Sequence, residues 1–275
     1  MNGSRPSRIA LVLDAPIDDV GALVSEARGA GGIDRASAHL GDGSVAQDVH
    51  WGGRMQRAVV RSIEEGGLPL LSTDVAIAGD GLIEGLSRQG ALLAAFARVL
   101  PGRVVGVRDL SARVARDEAW LTRLAAGVVD PSDAVVVGVG ADPAGRGASH
   151  RSEVGWVLTH GAARLGVPDL ELYGVPPAAI PAARRALERV ASQLAVGGLS
   201  APLSLEDGTP VRLVPVLEVW SGLPAHWPGL GRAGEDRGPG LDGPRATLSV
   251  LHRARFGRHR LDLDGVRERL TSEVG

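Results

Sequence analysis

Residues 9–27 read IALVLDAPIDDVGALVSEA. The apolar run 9–13, closed by Asp14, predicts a buried strand. Pro16 suits the first turn of a helix, where its missing N–H would be unpaired anyway. Ile17, Val20, Val24 and Ala27 then recur at helical spacing, and Gly29 supplies a stop. Strand, tight turn and helix form the opening unit, and this rhythm recurs along the chain.

Working outward, residues 35–53 are rich in Gly and Asp and give no clear period. Residues 54–65 read as a helix stopped by Gly66 and Gly67, and residues 68–78 as a strand. Leu82, Leu86, Leu93, Phe96 and Leu100 make one stripe of a long helix closed by Pro101. Residues 103–109 predict a strand and 117–126 a helix, with Asp117 and Glu118 in its first turn, where the dipole favours acids. Strands are expected at 133–139, 155–158 and 169–175. A helix follows on Ile180, Ala183, Leu187, Val190 and Leu194, ended by Gly197 and Gly198. Asp207 and Gly208 between apolar segments 202–205 and 211–219 signal a hairpin. Strands at 246–252 and 261–264 and a helix at 265–272 close the chain.

Alternating strands and helices usually indicate βαβ units. Short strands and the antiparallel hairpin favour instead a mixed α+β fold: a sheet with packed helices, two ferredoxin-like halves and a C-terminal hairpin region. The expected organisation is a main domain over 1–225 with an internal boundary near 130, a Gly/Pro-rich loop or linker at 226–243, and a small C-terminal strand and helix unit over 244–275 packed on the main domain.

Composition bounds the chemistry. A chain of 275 residues, 44% hydrophobic and 23% charged, has material for a core without disulfides or metals. There is no Cys, which removes thiolate nucleophiles and thiolate metal sites. Every basic residue other than His is Arg, so Schiff-base and P-loop lysine chemistry are also removed. A net charge of −2 gives no global field toward nucleic acid or membrane. Residues 1–8 lack an apolar signal core, and no apolar run approaches the roughly 20 residues of a membrane span. The expected location is the cytoplasm, and no cofactor motif is present.

One stretch carries a family likeness. Thr159, Gly161, Gly166, Pro168, Asp169, Leu170 and Glu171 follow an apolar strand and precede an amphipathic helix. The pattern is similar to the T-x-G-L-x-x-F-G-x-P-D/E-L/I-E motif of uncharacterised bacterial domains of unknown function. Ala162 stands where that motif has Leu, and Leu165 where it has Phe. The likeness spans about residues 68–213 and implies no activity. Its residues also have a structural reading. Gly161 and Gly166 permit unusual backbone angles, Pro168 launches a strand, and Thr159 caps a turn. Arg164 and Glu171 are the functional pair to set against it.

Candidate chemistry is sparse. Asp14, Asp74 and Asp109 each end an apolar run. On parallel neighbouring strands they would gather at one edge and suit Mg²⁺ and phosphoryl transfer; as turn or capping residues they are structural. Gly138, Gly140 and Gly145 fail the spacing of a dinucleotide loop. Ser149, His150, Glu153 and His160 are near in sequence but match no ligand or nucleophile motif. Arg245, Arg253, Arg255, Arg258 and Arg260 form a basic segment that suits either phosphate contacts or a charged edge strand. Trp220 and Trp227 flank an irregular stretch and mark either a partner site or a core lid.

Three functional classes follow. The first is a non-enzymatic binding or regulatory module for a protein or small molecule, its surface at Thr159, His160, Arg164, Glu171, Trp220 and Trp227, with a homodimer as one assembly. The second is a metal-dependent hydrolase or phosphoryl-transfer enzyme on the three acids. The third is a nucleic-acid binder using Arg253, Arg255, Arg258 and Arg260, against which the balanced charge argues.

Overall fold

A computed structural model describes residues 6–28, 33–39, 45–51, 54–77, 82–140, 155–216, 245–251 and 262–272. The fold is mixed α+β, and its contacts divide the chain into two compact units. The first comprises Met1–Ala134 and Arg164–Gly166; the second comprises Val135–Ala163 and Val167–Gly275. No helix among the described residues is long and apolar enough to cross a membrane.

The first unit is built on a seven-stranded antiparallel sheet in the order β2-β3-β4-β5-β1-β6-β7. Its strands are β1 (Ser7–Leu13), β2 (Ile33–His39), β3 (Val45–Trp51), β4 (Arg54–Glu65), β5 (Leu68–Val75), β6 (Val104–Asp109) and β7 (Val114–Arg116). Helix α1 (Val20–Ala27) begins later than Pro16 suggests, because the Asp19 side chain caps it by accepting from the Ala22 N–H at 2.9 Å. Pro16 lies in the approach to the helix.

Strand β4 is the main departure from the sequence reading, which makes residues 54–65 a helix. Ala58 and Val60 are buried while Val59 and Arg61 between and after them are partly exposed, the alternation of a strand. Gly66 and Gly67 do not stop a helix. With φ of 62° and 74° they form the two-residue turn that the twist of a hairpin prefers, and Glu65 pairs with Leu68 across it.

Helix α2 (Leu82–Val99) buries the expected stripe of Leu86, Leu93 and Phe96, and Leu100 is buried just beyond its end. It packs against α1, α3 (Glu118–Ala125) and the short α4 (Pro131–Ala134). Asp117 caps α3 rather than entering its first turn, accepting from the Trp120 N–H at 2.7 Å. The α2–α3 approach depends on Gly90, where an added Cβ would stand 2.7 Å from Leu124 Cβ and 2.9 Å from the Ala125 backbone nitrogen. Gly90→Ala should therefore destabilise the protein by about 1–3 kcal/mol despite its better helix propensity; denaturant unfolding measures this.

The second unit holds a six-stranded sheet in the order β11-β12-β13-β10-β9-β8. The strands are β8 (Val136–Gly140), β9 (Gly155–His160), β10 (Asp169–Val175), β11 (Leu203–Ser204), β12 (Pro210–Pro215) and β13 (Arg245–Val250). β10 and β13 are parallel and all other neighbours antiparallel. A ferredoxin-like half has only antiparallel neighbours, so this sheet departs from that expectation. Helix α5 (Ile180–Gly197) lays Ala183, Ala186, Leu187, Val190 and Leu194 into the core and ends at Gly198, whose φ is 63°.

Two further differences are local. Asp133, read as part of a strand, belongs to α4, and β8 begins at Val136. Asp264 opens helix α6 (Asp264–Ser272) instead of closing a strand, because Asp262 accepts from the Gly265 N–H at 2.7 Å; Leu261 lies outside the described residues. β13 lies between β12 and β10 in the second sheet.

Candidate functional site

The connection from β9 to β10 carries the Thr159–Glu171 motif, and its polar groups clasp the turn. The Thr159 hydroxyl accepts from the Leu170 N–H at 2.7 Å and donates to Asp169 Oδ1 at 3.2 Å. The same Asp169 oxygen accepts from the Ala162 N–H at 2.9 Å. Thr159 is fully buried, and Gly161 and Gly166 take φ of 104° and 77° on either side of the single 3-10 turn Ala162–Leu165. Asp169, which the sequence reading quotes in the motif without giving it a role, is the centre of this clasp.

Arg164 and Glu171 do not pair with each other. Arg164 belongs to the first unit, where its Nη2 lies 2.8 and 2.7 Å from the two Asp109 oxygens and its Nη1 donates to Ser7 Oγ at 3.1 Å. Both ion-pair side chains are fully buried. Asp109 also accepts from the Ala112 N–H at 3.0 Å. Beside this pair, Gln89 Nε2 donates to the Ser7 and Thr73 carbonyls and lies 3.1 Å from the Thr73 hydroxyl.

Glu171, in the second unit, pairs with Arg245 Nη1 at 2.8 Å, with side-chain exposures of only 4% and 10%. Burial pushes its carboxyl up from the usual range, while the Arg245 charge and hydrogen bonds from Trp156 and Arg245 pull it back. Thr247 donates to the Glu171 carbonyl at 2.8 Å and fixes the register of β10 with β13. Arg245 is thus committed to an internal partner rather than to a basic surface. His160 is two residues beyond Leu158, the cross-strand partner of Glu171, so it shares that face of the sheet, and Thr159 points to the other.

The three acids at strand ends do not gather. β5 and β6 both run antiparallel to β1, pairing Asp74 with Arg8 and Asp109 with Ile9 at one end of β1, whereas Asp14 follows the other end. Arg8 and Ile9 are adjacent in a strand, so Asp74 and Asp109 also project to opposite faces. Each acid has its own arginine: Asp14 with Arg103 at 3.2 Å, Asp74 with Arg61 at 2.7 Å and Arg8 at 3.4 Å, and Asp109 with Arg164. Asp133 is likewise engaged, by Trp120 Nε1 at 2.9 Å and Arg123 Nη2 at 3.1 Å. Among the described residues no three His, Asp or Glu side chains come together as a metal site.

One sheet face of the first unit concentrates positive charge. The register runs Arg61–Ser72–Ala10–Arg108 across β4, β5, β1 and β6, which places these residues on one face with Asp74 and Arg8. Ala10, Val12 and Leu70 form its apolar floor, flanked by Ile63 and Leu110. The opposite face carries Ile9, Thr73 and Asp109, and α2 reaches it through Gln89. Sequence reasoning missed the basic face because Arg61 comes into register with Ser72, Ala10 and Arg108 only if residues 54–65 form a strand of the sheet.

Trp220, Trp227, Arg253, Arg255, Arg258 and Arg260 lie outside the described residues, as do Ser149, His150, Glu153 and Gly145. The chain matches no protein-family model, no curated protein and no solved structure.

Proposed function

We propose that the chain is a cytoplasmic, non-enzymatic binding module for a small-molecule partner. One observation carries this reading: Asp14, Asp74, Asp109, Asp133 and Glu171 are each already engaged by an arginine. A general acid, general base or metal ligand has to offer an oxygen to the reacting group. These carboxylates offer theirs to guanidinium groups, and for Asp109 and Glu171 the pair is buried. The arginine-bearing face of the first sheet is the surface we assign to the partner.

The order β4-β5-β1-β6, joined in sequence as β1-α1-β4-β5-α2-β6, supports reading the first unit as a ferredoxin-like half with the β2-β3 hairpin inserted after α1. We extend the likeness of residues 159–171 to bacterial domains of unknown function into this reading; it brings no activity with it.

Incubating the purified chain with a small-molecule extract of bacterial cells, with metabolites followed by mass spectrometry, tests the proposal. The expected result is retention of a metabolite in proportion to the protein, with none consumed over time. Progressive depletion of a metabolite, abolished by Asp74→Asn or Asp14→Asn, would replace the binding module with an enzyme.

A further inference from the structure

We infer that the basic face of the first unit binds a compact phosphate-bearing anion, held between Arg8 and Arg108 beside the Asp74–Arg61 pair. The inference rests on the proposed binding role of that face and adds the chemical class of its ligand.

The placement follows from strand register. Ala10 pairs with Arg108, so Arg8, two residues earlier on β1, is the diagonal neighbour of Arg108 on the same face. Diagonal neighbours across an antiparallel pair stand about 7–8 Å apart. Two arginine side chains rooted at that distance can converge on one phosphate group. Ala10 and Ser72 between the arginine rows are small, so the guanidinium groups meet no bulky side chain beneath them.

Among the described residues, Arg8 and Arg108 flank Asp74 on this part of the face. Arg61 has the short contact with Asp74, at 2.7 Å, while Arg8 reaches it only through Nε at 3.4 Å. The terminal nitrogens of Arg8 and the Arg108 side chain make no hydrogen bond among the described residues. Arg8 is 43% exposed and Arg61 35%, so solvent reaches the heads. Asp74 acts as a positioning residue: it orients Arg61 and the Nε edge of Arg8, leaving the fork of Arg8 for a ligand. Guanidinium forks match the oxygens of phosphate in bidentate geometry, and such charge-assisted bonds are about twice as strong as neutral ones.

The face favours a small ligand over a nucleic acid strand. Its described residues include Arg57, Val59, Arg61, Ile63, Glu65, Leu70, Ser72, Asp74, Arg8, Ala10, Val12, Gly106, Arg108, Leu110 and Ala115, and none of these is aromatic. Single-stranded nucleic acid is usually gripped by aromatic side chains on which its bases stack. A net charge of −2 for the whole chain also provides no long-range pull on a polyanion.

Titration calorimetry of the full chain with sodium pyrophosphate, at low salt and in a phosphate-free buffer, tests the site. The wild type is expected to bind one equivalent. Arg108→Gln should weaken binding on the order of tenfold or more, and Arg8→Gln similarly. Arg185→Gln, an exposed arginine of the second unit, should leave it unchanged. Circular dichroism checks that each variant is folded; Arg108→Lys, which keeps the charge but loses the fork, covers the case in which Arg108→Gln is not, and it should also bind more weakly. Absence of pyrophosphate binding by the wild type, or affinity indifferent to Arg8 and Arg108, overturns the inference. So does tighter binding of a single-stranded oligonucleotide that grows with its length, which points to nucleic acid. A phosphate-free metabolite retained by the wild type and lost in Arg108→Gln would overturn only the ligand class, whereas turnover of a metabolite would overturn the binding role beneath it.

Discussion

Arg164→Met should be among the most damaging single substitutions in the chain, lowering stability by about 3–5 kcal/mol. The side chains of Arg164 and Asp109 are both fully buried, and one Arg164 nitrogen contacts both Asp109 oxygens within 2.8 Å. Removing the guanidinium leaves a carboxylate in the interior with the Ala112 N–H at 3.0 Å and the more distant charge of Arg116 as its compensation. The cost is that of an unpaired buried charge, not the net worth of the pair. A buried pair repays little beyond its own desolvation, so the double variant Arg164→Met/Asp109→Leu should recover most of the loss. Denaturant unfolding of the two singles and the double gives the coupling directly. A single variant as stable as wild type would mean that the pair is not buried as described.

Arg245→Met should produce the second large effect, of about 3–5 kcal/mol near neutral pH, and this one should depend on pH. Glu171 is the partner left behind, and burial already holds its carboxyl above the ordinary value of 4.5. A carboxyl whose folded-state value is raised contributes stability that is fully present below the unfolded value and is lost as pH rises through the folded value. Without the Arg245 charge the folded value rises further. The deficit of Arg245→Met relative to wild type should therefore be smallest below about pH 4.5, where Glu171 is neutral in both states, and should widen as pH rises. Thermal melts of both proteins across that range measure the difference. In Arg245→Met/Glu171→Gln the widening should disappear, because the titrating group is gone.

These two pairs show how far the sequence could be read. Local periodicity placed α2 and α5 closely, because the helix-facing residues Leu86, Leu93, Phe96, Leu187, Val190 and Leu194 repeat within a few turns and are indeed buried. β10 was equally legible, with Leu170, Leu172 and Val175 between Pro168 and Pro176. β4 was not, since AVVRSIEE fits a helix stripe as well as a strand, and only the positive φ of both Gly66 and Gly67 decides for a hairpin. That one error concealed the arginine face, which requires Arg61 to project from a strand beside Ser72.

The motif residues Thr159, Gly161 and Gly166 were recognisable as a turn, but the role of Asp169 and the partners of Arg164 and Glu171 were not. Asp109 stands 55 positions from Arg164, and Arg245 stands 74 from Glu171. Nothing in local spacing encodes contacts of that range. The direction of neighbouring strands was equally hidden, and it decides the fate of the acidic cluster. Parallel strands would have collected Asp14, Asp74 and Asp109 at one edge; the antiparallel pairing of β1 with β5 and β6 separates Asp14 from the other two by the length of β1.

The central proposal is that these carboxylates are committed to arginine partners and that the chain binds rather than transforms its partner. Affinity capture of the tagged chain from native cells, followed by native mass spectrometry, tests it most directly. The account predicts a stoichiometric mass increment from a bound small molecule, released unchanged on denaturation. Recovery of the bare chain alone under repeated mild capture, or of a chemically altered metabolite whose formation stops with Asp74→Asn, would contradict it.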